Sequence, residues 1–357
     1  MQFKSTIQQH NQPVAIWLLI GIGMMVIQVL LGGITRLTGS GLSITEWKPI
    51  MGAIPPLNEQ QWLQAFHKYK QIPQYQYINT HFTLSDFKYI FFWEWLHRLW
   101  ARLIGVVFFI PFIWFTYTKK INRNMVKPLL ILFLLGALQG LVGWIMVASG
   151  LQDLVYVSHI RLAIHFILAL SLLCYTAWFA LQLLVSKQQY VYSKSLKNIT
   201  LTIMVLLVVQ LIYGAFMAGL KAAVTAATWP TINGQWLPAS FTTYGNKHYE
   251  GWQIITNHPL VVQFIHRFMA YILAVVILFG YYQAKKVKNK FLLLNNIYTL
   301  PLGIVLLQII LGIATVLCST NSTALLYLGV AHQFVAMVLL LACIYVLYLI
   351  RLPQKTM

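Results

Sequence analysis

Four histidines stand in strongly apolar sequence, each in a separate hydrophobic run: His97, His165, His266 and His332. The first belongs to Trp93-Glu94-Trp95-Leu96-His97-Arg98, which puts a carboxylate, an imidazole and a guanidinium within two helical turns. Glu94 and His97 are at i and i+3 and share a helix face. Part of that box recurs as Gln263-Phe264-Ile265-His266-Arg267, 169 residues later. Ionisable groups in a lipid-embedded segment are costly and usually face the bundle interior, paired or liganding. Two histidines at i, i+4 on one helix would suggest zinc. One histidine from each of two helices suggests an iron porphyrin ligated on both faces. Neutral imidazole also avoids burying a net charge. For one isolated histidine a hydrogen-bonded interhelical residue is the simpler explanation; four at matched positions favour ligation, one haem in each half.

Glu94 breaks the symmetry, because the second half carries Gln263 at the equivalent place. It is either an acid favoured by a helix N-terminus or a proton-handling group in apolar surroundings beside one haem only. The second alternative makes the first half the reaction site and the second an electron-transfer site. Arg36, Arg98, Arg161 and Arg267 lie near the same outer surface. They are candidates for binding haem propionates, since guanidinium meets carboxylate bidentately; snorkelling to the interface is the alternative. His159, His10, His67, His81, His248 and His258 are expected at the surface or in solvated loops.

The elements that must position these groups are membrane spans. Of 357 residues, 59% are hydrophobic and 9% charged, against roughly 25% charged in soluble domains. The net charge of +19 belongs to topology rather than to nucleic-acid binding, and only six acids exist: Glu46, Glu59, Asp86, Glu94, Asp153 and Glu250. Cys174, Cys318 and Cys343 show no CxxC spacing, so neither a disulfide framework nor a zinc site follows. Eight stretches are long enough to span, at roughly 14–34, 88–117, 127–148, 159–185, 198–219, 260–283, 292–317 and 324–350. No cleavable signal pattern precedes the first, which is expected to remain as an anchor.

Lys4, the cluster Lys119, Lys120 and Arg123, the cluster Lys187, Lys194 and Lys197, the run Lys285, Lys286, Lys288 and Lys290, and the pair Arg351 and Lys355 all fall on one side. That side is predicted cytoplasmic, with both termini inside and the long loops, about 35–87 and 220–259, outside. The chain also repeats. Gln-x-x-x-Gly closes each odd span (Gln28/Gly32, Gln139/Gly143, Gln210/Gly214, Gln308/Gly312), and a histidine opens each even one. These pairs are expected to serve close helix packing or a flat ligand against backbone, and no chemistry is assigned to them. The fold class is all-α integral membrane, with eight transmembrane helices as two pseudo-symmetric four-helix bundles, 14–185 and 198–350.

Further motifs carry a family resemblance. Gly32-Gly33-Ile34-Thr35-Arg36-Leu37-Thr38-Gly39-Ser40-Gly41-Leu42-Ser43, Trp47-x-Pro49, Gly52, Pro55-Pro56, Glu94-x-x-His97-Arg98, Arg161-Leu162-Ala163-Ile164-His165, Phe264-Ile265-His266-Arg267 and Ala331-His332-Gln333 together resemble haem A synthase, over about 14–350. The resemblance implies oxidation of the C8 methyl of haem O to the formyl of haem A by successive hydroxylations, for terminal oxidases. It implies His97 and His165 flanking the substrate haem O, His266 and His332 ligating a haem b that relays electrons, and Glu94 as the essential carboxylate. Outer loop one lacks the cysteine pair of one branch, so the chain is similar to the cysteine-free alphaproteobacterial and mitochondrial type. A bacterial inner membrane is expected, since no long transit sequence precedes the first span. Expected partners are the farnesyltransferase that makes haem O, an unidentified electron acceptor, membrane lipid and a possible second copy in a homo-oligomer. Two other classes fit the histidines: a di-haem electron carrier of cytochrome b type, and a repeat-built transporter with a histidine proton relay.

Overall fold

The computed structural model describes residues 12–47, 51–152, 154–186, 189–287 and 297–351. Lys4, His10, Pro49, Asp153, Lys187, Lys288, Lys290 and Lys355 lie outside the described residues. Among the described residues, eight helices are long and apolar enough to cross a membrane. They are α1 (Gln12–Leu37), α2 (Leu84–Tyr117), α3 (Arg123–Gln152), α4 (His159–Leu184), α5 (Lys194–Gly219), α6 (Pro259–Lys286), α7 (Thr299–Leu317) and α8 (Ser322–Leu349). The chain is an all-α multi-pass membrane protein.

Every expected span is present; residues 292–296 of the seventh lie outside the described residues, and the earlier start of α2 has a polar cause. Helix α2 starts at Leu84 rather than 88 because Thr83 and Asp86 form a capping box. The Thr83 hydroxyl accepts from Asp86 N at 3.3 Å, while the Asp86 carboxylate accepts from Thr83 N at 2.9 Å. Such a turn is polar, so a hydropathy window misses it. Inside α2, Pro111 cannot donate to the carbonyl of Val107. That oxygen accepts instead from the Trp17 indole N–H at 2.8 Å, which ties α1 to α2. The Trp100 indole makes a second tie to Met24 O at 2.9 Å.

The main core mixes helices from both ends of the chain, with Leu173, Leu196, Ile203, Leu207, Ile277, Met337 and Leu339 nearly fully buried. Helix α1 packs on α2, α4 and α8; α3 packs on α4; α5 packs on α4, α6 and α8; α7 packs on α6 and α8. Helices α6 and α7 run side by side, whereas their counterparts α2 and α3 approach each other hardly at all. They meet through rings such as Phe108 and Phe133, stacked at 6.4 Å.

The two long loops are folded onto the helix ends. Helix α1 closes with Gly39 in the left-handed region (φ 69°), Gly39 N donating to Arg36 O and Ser40 N to Thr35 O. Short helices Glu59–Tyr69 and Pro73–Tyr77 follow, packed through Phe66 and Tyr69 on Phe87. Burial pushes the Tyr69 hydroxyl up to about 12. In the second loop, Asn233 (φ 52°) and Gly234 (φ 88°) make the tight turn that pairs Ile232 with Gln235. A two-residue parallel pairing of Val191–Tyr192 with Ile350–Arg351 fastens the α4–α5 connection to the end of α8.

Candidate functional site

The four histidines fall on the four even helices, as the sequence requires. His266 on α6 and His332 on α8 face each other with ring centres 6.4 Å apart, planes inclined by 73°. An imidazole–metal bond of about 2 Å on each side, with about 1 Å more from each nitrogen to its ring centre, separates two axial rings by about 6 Å. The pair therefore fits one iron held from opposite faces. His97 and His165 are close enough that a charge on one acts on the other. Among the described residues no three His, Cys, Asp or Glu side chains gather into a metal-holding group. Two imidazoles per site suit a metal whose remaining positions a porphyrin fills.

Each Gln-x-x-x-Gly turn seats a histidine from the next helix, a role that the spacing alone did not reveal. A methyl placed on Gly143 would lie 2.8 Å from His165 Cε1; on Gly312, 3.0 Å from His332 Cε1; on Gly214, 3.4 Å from His266 Cε1. On Gly32 it would lie 3.3 Å from His97, the nearest atom there being Nε2. Three of the glutamines reach the same rings. The carboxamide nitrogen of Gln139 is 3.5 Å from His165 Nε2 and donates to His165 O at 3.0 Å. Gln210 is 3.4 Å from His266 Nε2, and Gln308 is 3.2 Å from His332 Nε2. Nδ1 of His165, His266 and His332 is buried and without a partner.

Glu94 is buried but does not sit in apolar surroundings. Its Oε2 accepts from the Ser43 hydroxyl at 2.7 Å and from Ile44 N at 2.9 Å; its Oε1 accepts from Arg98 at 2.6 Å. Arg98 also donates to Ile44 O and Glu46 O. One carboxylate thus joins α2 to the loop that follows α1. In the second half, Gln263 donates to Ala226 O at 3.0 Å, and Arg267 donates to Ala226, Thr228 and Thr231 carbonyls. The two half-sites share a loop anchor, but only the first contains an acid.

Of the other arginines, Arg36 donates to Ala218 O at 2.6 Å and Gly219 O at 2.9 Å. It caps α5, whose free carbonyls and dipole favour a cation. Arg161 is exposed and donates to Ile145 O at 2.9 Å. Arg36, Arg98 and Arg267 are thus occupied by loop or helix-end carbonyls, with guanidinium edges still near the histidines' end of the bundle.

The chain matches the cytochrome oxidase assembly protein family over residues 15–344. It is 42% identical to the haem A synthase of Flavobacterium psychrophilum, over 95% of this chain and 98% of that one. It is 43% identical to that of Rhodospirillum centenum, over 96% and 90%, and 41% identical to that of Brucella suis, over 93% and 90%. The chain belongs to the haem A synthase family.

The run from Thr35 to Ser43 is tied down by specific contacts. The Thr35 hydroxyl bonds Leu31 O and Trp93 O, Arg36 caps α5, and the hydroxyls of Thr38 and Ser40 meet at 2.6 Å. Leu42 is buried against Gly150, and Ser43 reaches Glu94. One histidine expected in solvent is not there, while His159, expected near the surface, keeps partial exposure. His258 is fully buried and caps α6, its Nδ1 accepting from Val261 N. His159 is half-buried and edge-on to Phe216 at 5.5 Å. His67, His81 and His248 are exposed, as expected.

Proposed function

We propose that the chain acts as a haem A synthase, oxidising the C8 methyl of haem O to a formyl group through successive hydroxylations. The single observation that carries this is the inequality of two otherwise matched histidine sites: the first has the buried carboxylate of Glu94, the second the neutral Gln263. A carrier of electrons alone needs no such difference. In this reading 14–185 forms the substrate half and 198–350 the electron-relay half.

Haem O, as substrate, would bind between His97 and His165; haem b, as resident cofactor, would be held by His266 and His332. A methyl C–H is a poor target for acid–base chemistry, so the redox power comes from iron porphyrin. The protein contributes position and proton handling. Gln139 and Gly143 seat the His165 ring. Glu94, held by Arg98, Ser43 and Ile44, is fixed where it can accept a proton or orient water at the substrate edge. Arg36, Arg98, Arg161 and Arg267 lie at the end of the bundle where propionates would emerge, and each would exchange a carbonyl for a carboxylate.

The helix-end cations Lys119, Lys120, Arg123, Lys194, Lys197, Lys285, Lys286 and Arg351 support cytoplasmic termini and periplasmic loops in a bacterial inner membrane. A donor of haem O, such as the farnesyltransferase that makes it, and an external electron acceptor follow as partners; a homo-oligomer is compatible with this arrangement. The deciding experiment is mass analysis of haems extracted from the purified protein, expressed with and without a haem O supply. Haem O and haem A in the first preparation support the synthase. Haem b alone in both would make it a carrier, and a colourless protein would favour a transporter.

A further inference from the structure

The face of α3 that meets His165 continues past the ring into open space. Gly136, Gln139 and Gly143 stand at i, i+3 and i+7 and share that face. A methyl on Gly143 would press on His165, and Gln139 reaches the same ring, whose Nδ1 is buried without a partner. Gly136 lies two turns further from the long loops. Among the described residues nothing comes within 4 Å of where its Cβ would stand. Further along still, Phe108 on α2 and Phe133 on α3 stack at 6.4 Å. Phe108 follows His97 by eleven residues and Phe133 precedes Gly143 by ten. At about 1.5 Å per residue, these rings lie about 15 Å from the level of the histidines. The second half is filled at the matching places. The offset of 169 that relates His97 to His266 sets Val305 against Gly136, Ile277 against Phe108 and Leu302 against Phe133. Val305 and Ile277 are buried in the main core, and Leu302 packs on it. Helices α6 and α7 also run side by side there, whereas α2 and α3 hardly touch.

We propose that this slot, open to lipid between α2 and α3, takes the farnesyl chain of haem O, and that Gly136 is the residue that admits it. This rests on the assignment of haem O to the first half. The occupant follows from continuity and direction. The slot begins at the ring of His165, and haem O carries its chain on an edge of the porphyrin away from the propionates. With the propionates toward the arginines at the loop end, the chain runs toward Phe108 and Phe133. Lipid is as apolar as the slot, so moving the chain from one to the other gains little by itself. Discrimination comes from exclusion instead. Val305 and Ile277 leave no room for a chain in the second half, which suits haem b, a ring without one. A glycine in one half and a valine in the other thereby sort two haems between two otherwise matched histidine pairs.

Haem titration of the purified protein tests this without turnover or an electron acceptor. Protein expressed without a haem O supply, its second half holding haem b, is titrated with haem O and, separately, with haem b. Both are expected to bind the first half of the unaltered chain. Gly136→Val installs the second-half residue and should weaken haem O about 10-fold relative to haem b; Gly136→Ala should weaken it less. Using one detergent throughout cancels the partitioning of the chain into micelles. The second-half spectrum reports correct folding in each variant. An unchanged ratio of the two affinities in both variants would overturn the proposal. So would equal loss of the two haems, because valine would then disturb the seat of the ring rather than that of the chain. Unaltered protein holding haem b in the second half but binding no haem O in the first would instead remove the substrate-site reading itself, and this proposal with it.

Discussion

Glu94 and Arg98 meet at 2.6 Å, one helical turn apart on α2, and the guanidinium continues to the carbonyls of Ile44 and Glu46. The pair is therefore both a candidate reaction group and the latch of the loop between α1 and α2. Glu94→Gln preserves the size and an oxygen for both loop donors, Ser43 and Ile44, but removes the charge that pairs with Arg98. It is expected to keep bound haem while stopping formyl formation, read by haem mass analysis of the purified variant. Unchanged haem A yield would remove Glu94 from the mechanism.

Arg98→Leu acts on the other partner and leaves a buried carboxylate without its cation. Breaking a buried pair in this way costs about 3–5 kcal/mol. The loss should appear first as loosening of the loop 38–83, measured as faster proteolytic nicking there than in Glu94→Gln. Equal nicking rates in the two variants would show that the charge of Arg98 is not what holds the loop.

The second-half pair makes a spectroscopic prediction. With ring centres 6.4 Å apart, His266 and His332 leave room for one iron and its two axial bonds. His266→Ala should abolish the low-spin haem b spectrum of the purified protein. An unaltered spectrum would contradict the ligand assignment.

Glycines beside the histidines should differ from glycines elsewhere on the same helix. A methyl on Gly143 would press within 2.8 Å of His165 Cε1, whereas one on Gly140 meets nothing within 4 Å. Gly143→Ala is expected to displace the ring and reduce first-half haem occupancy several-fold; Gly140→Ala should leave it unchanged. Haem-to-protein ratios decide between them.

Arg36 is bonded to Ala218 O and Gly219 O across the boundary between the two halves. Hydrogen bonds to a charged group contribute about 1.5–3 kcal/mol. Arg36→Leu should lower the unfolding temperature by a few degrees, with second-half haem retained below it. An unshifted thermal transition would mean that the cap adds nothing to stability.

The eight spans, the repeat and the even-helix histidines were legible in the chain because lipid imposes a simple rule. A run of apolar residues must be helical, and a polar group within it must face a partner. Less legible was His258: its position in a polar loop said solvent, and only the folding of that loop onto α6 made it a buried cap.

Sequence by itself determined which residue types stand in the membrane and that one half carries an acid where the other has an amide. The tertiary structure alone decided what those residues touch. That Glu94 is latched by Ser43, Ile44 and Arg98, and that the amide nitrogens of Gln139, Gln210 and Gln308 come within 3.5 Å of histidine rings, depends on how the elements pack. Spacing along one chain fixes which face of a helix a side chain occupies. The rotation and separation of the neighbouring helix, set by the packing of the whole bundle, fix what that face meets.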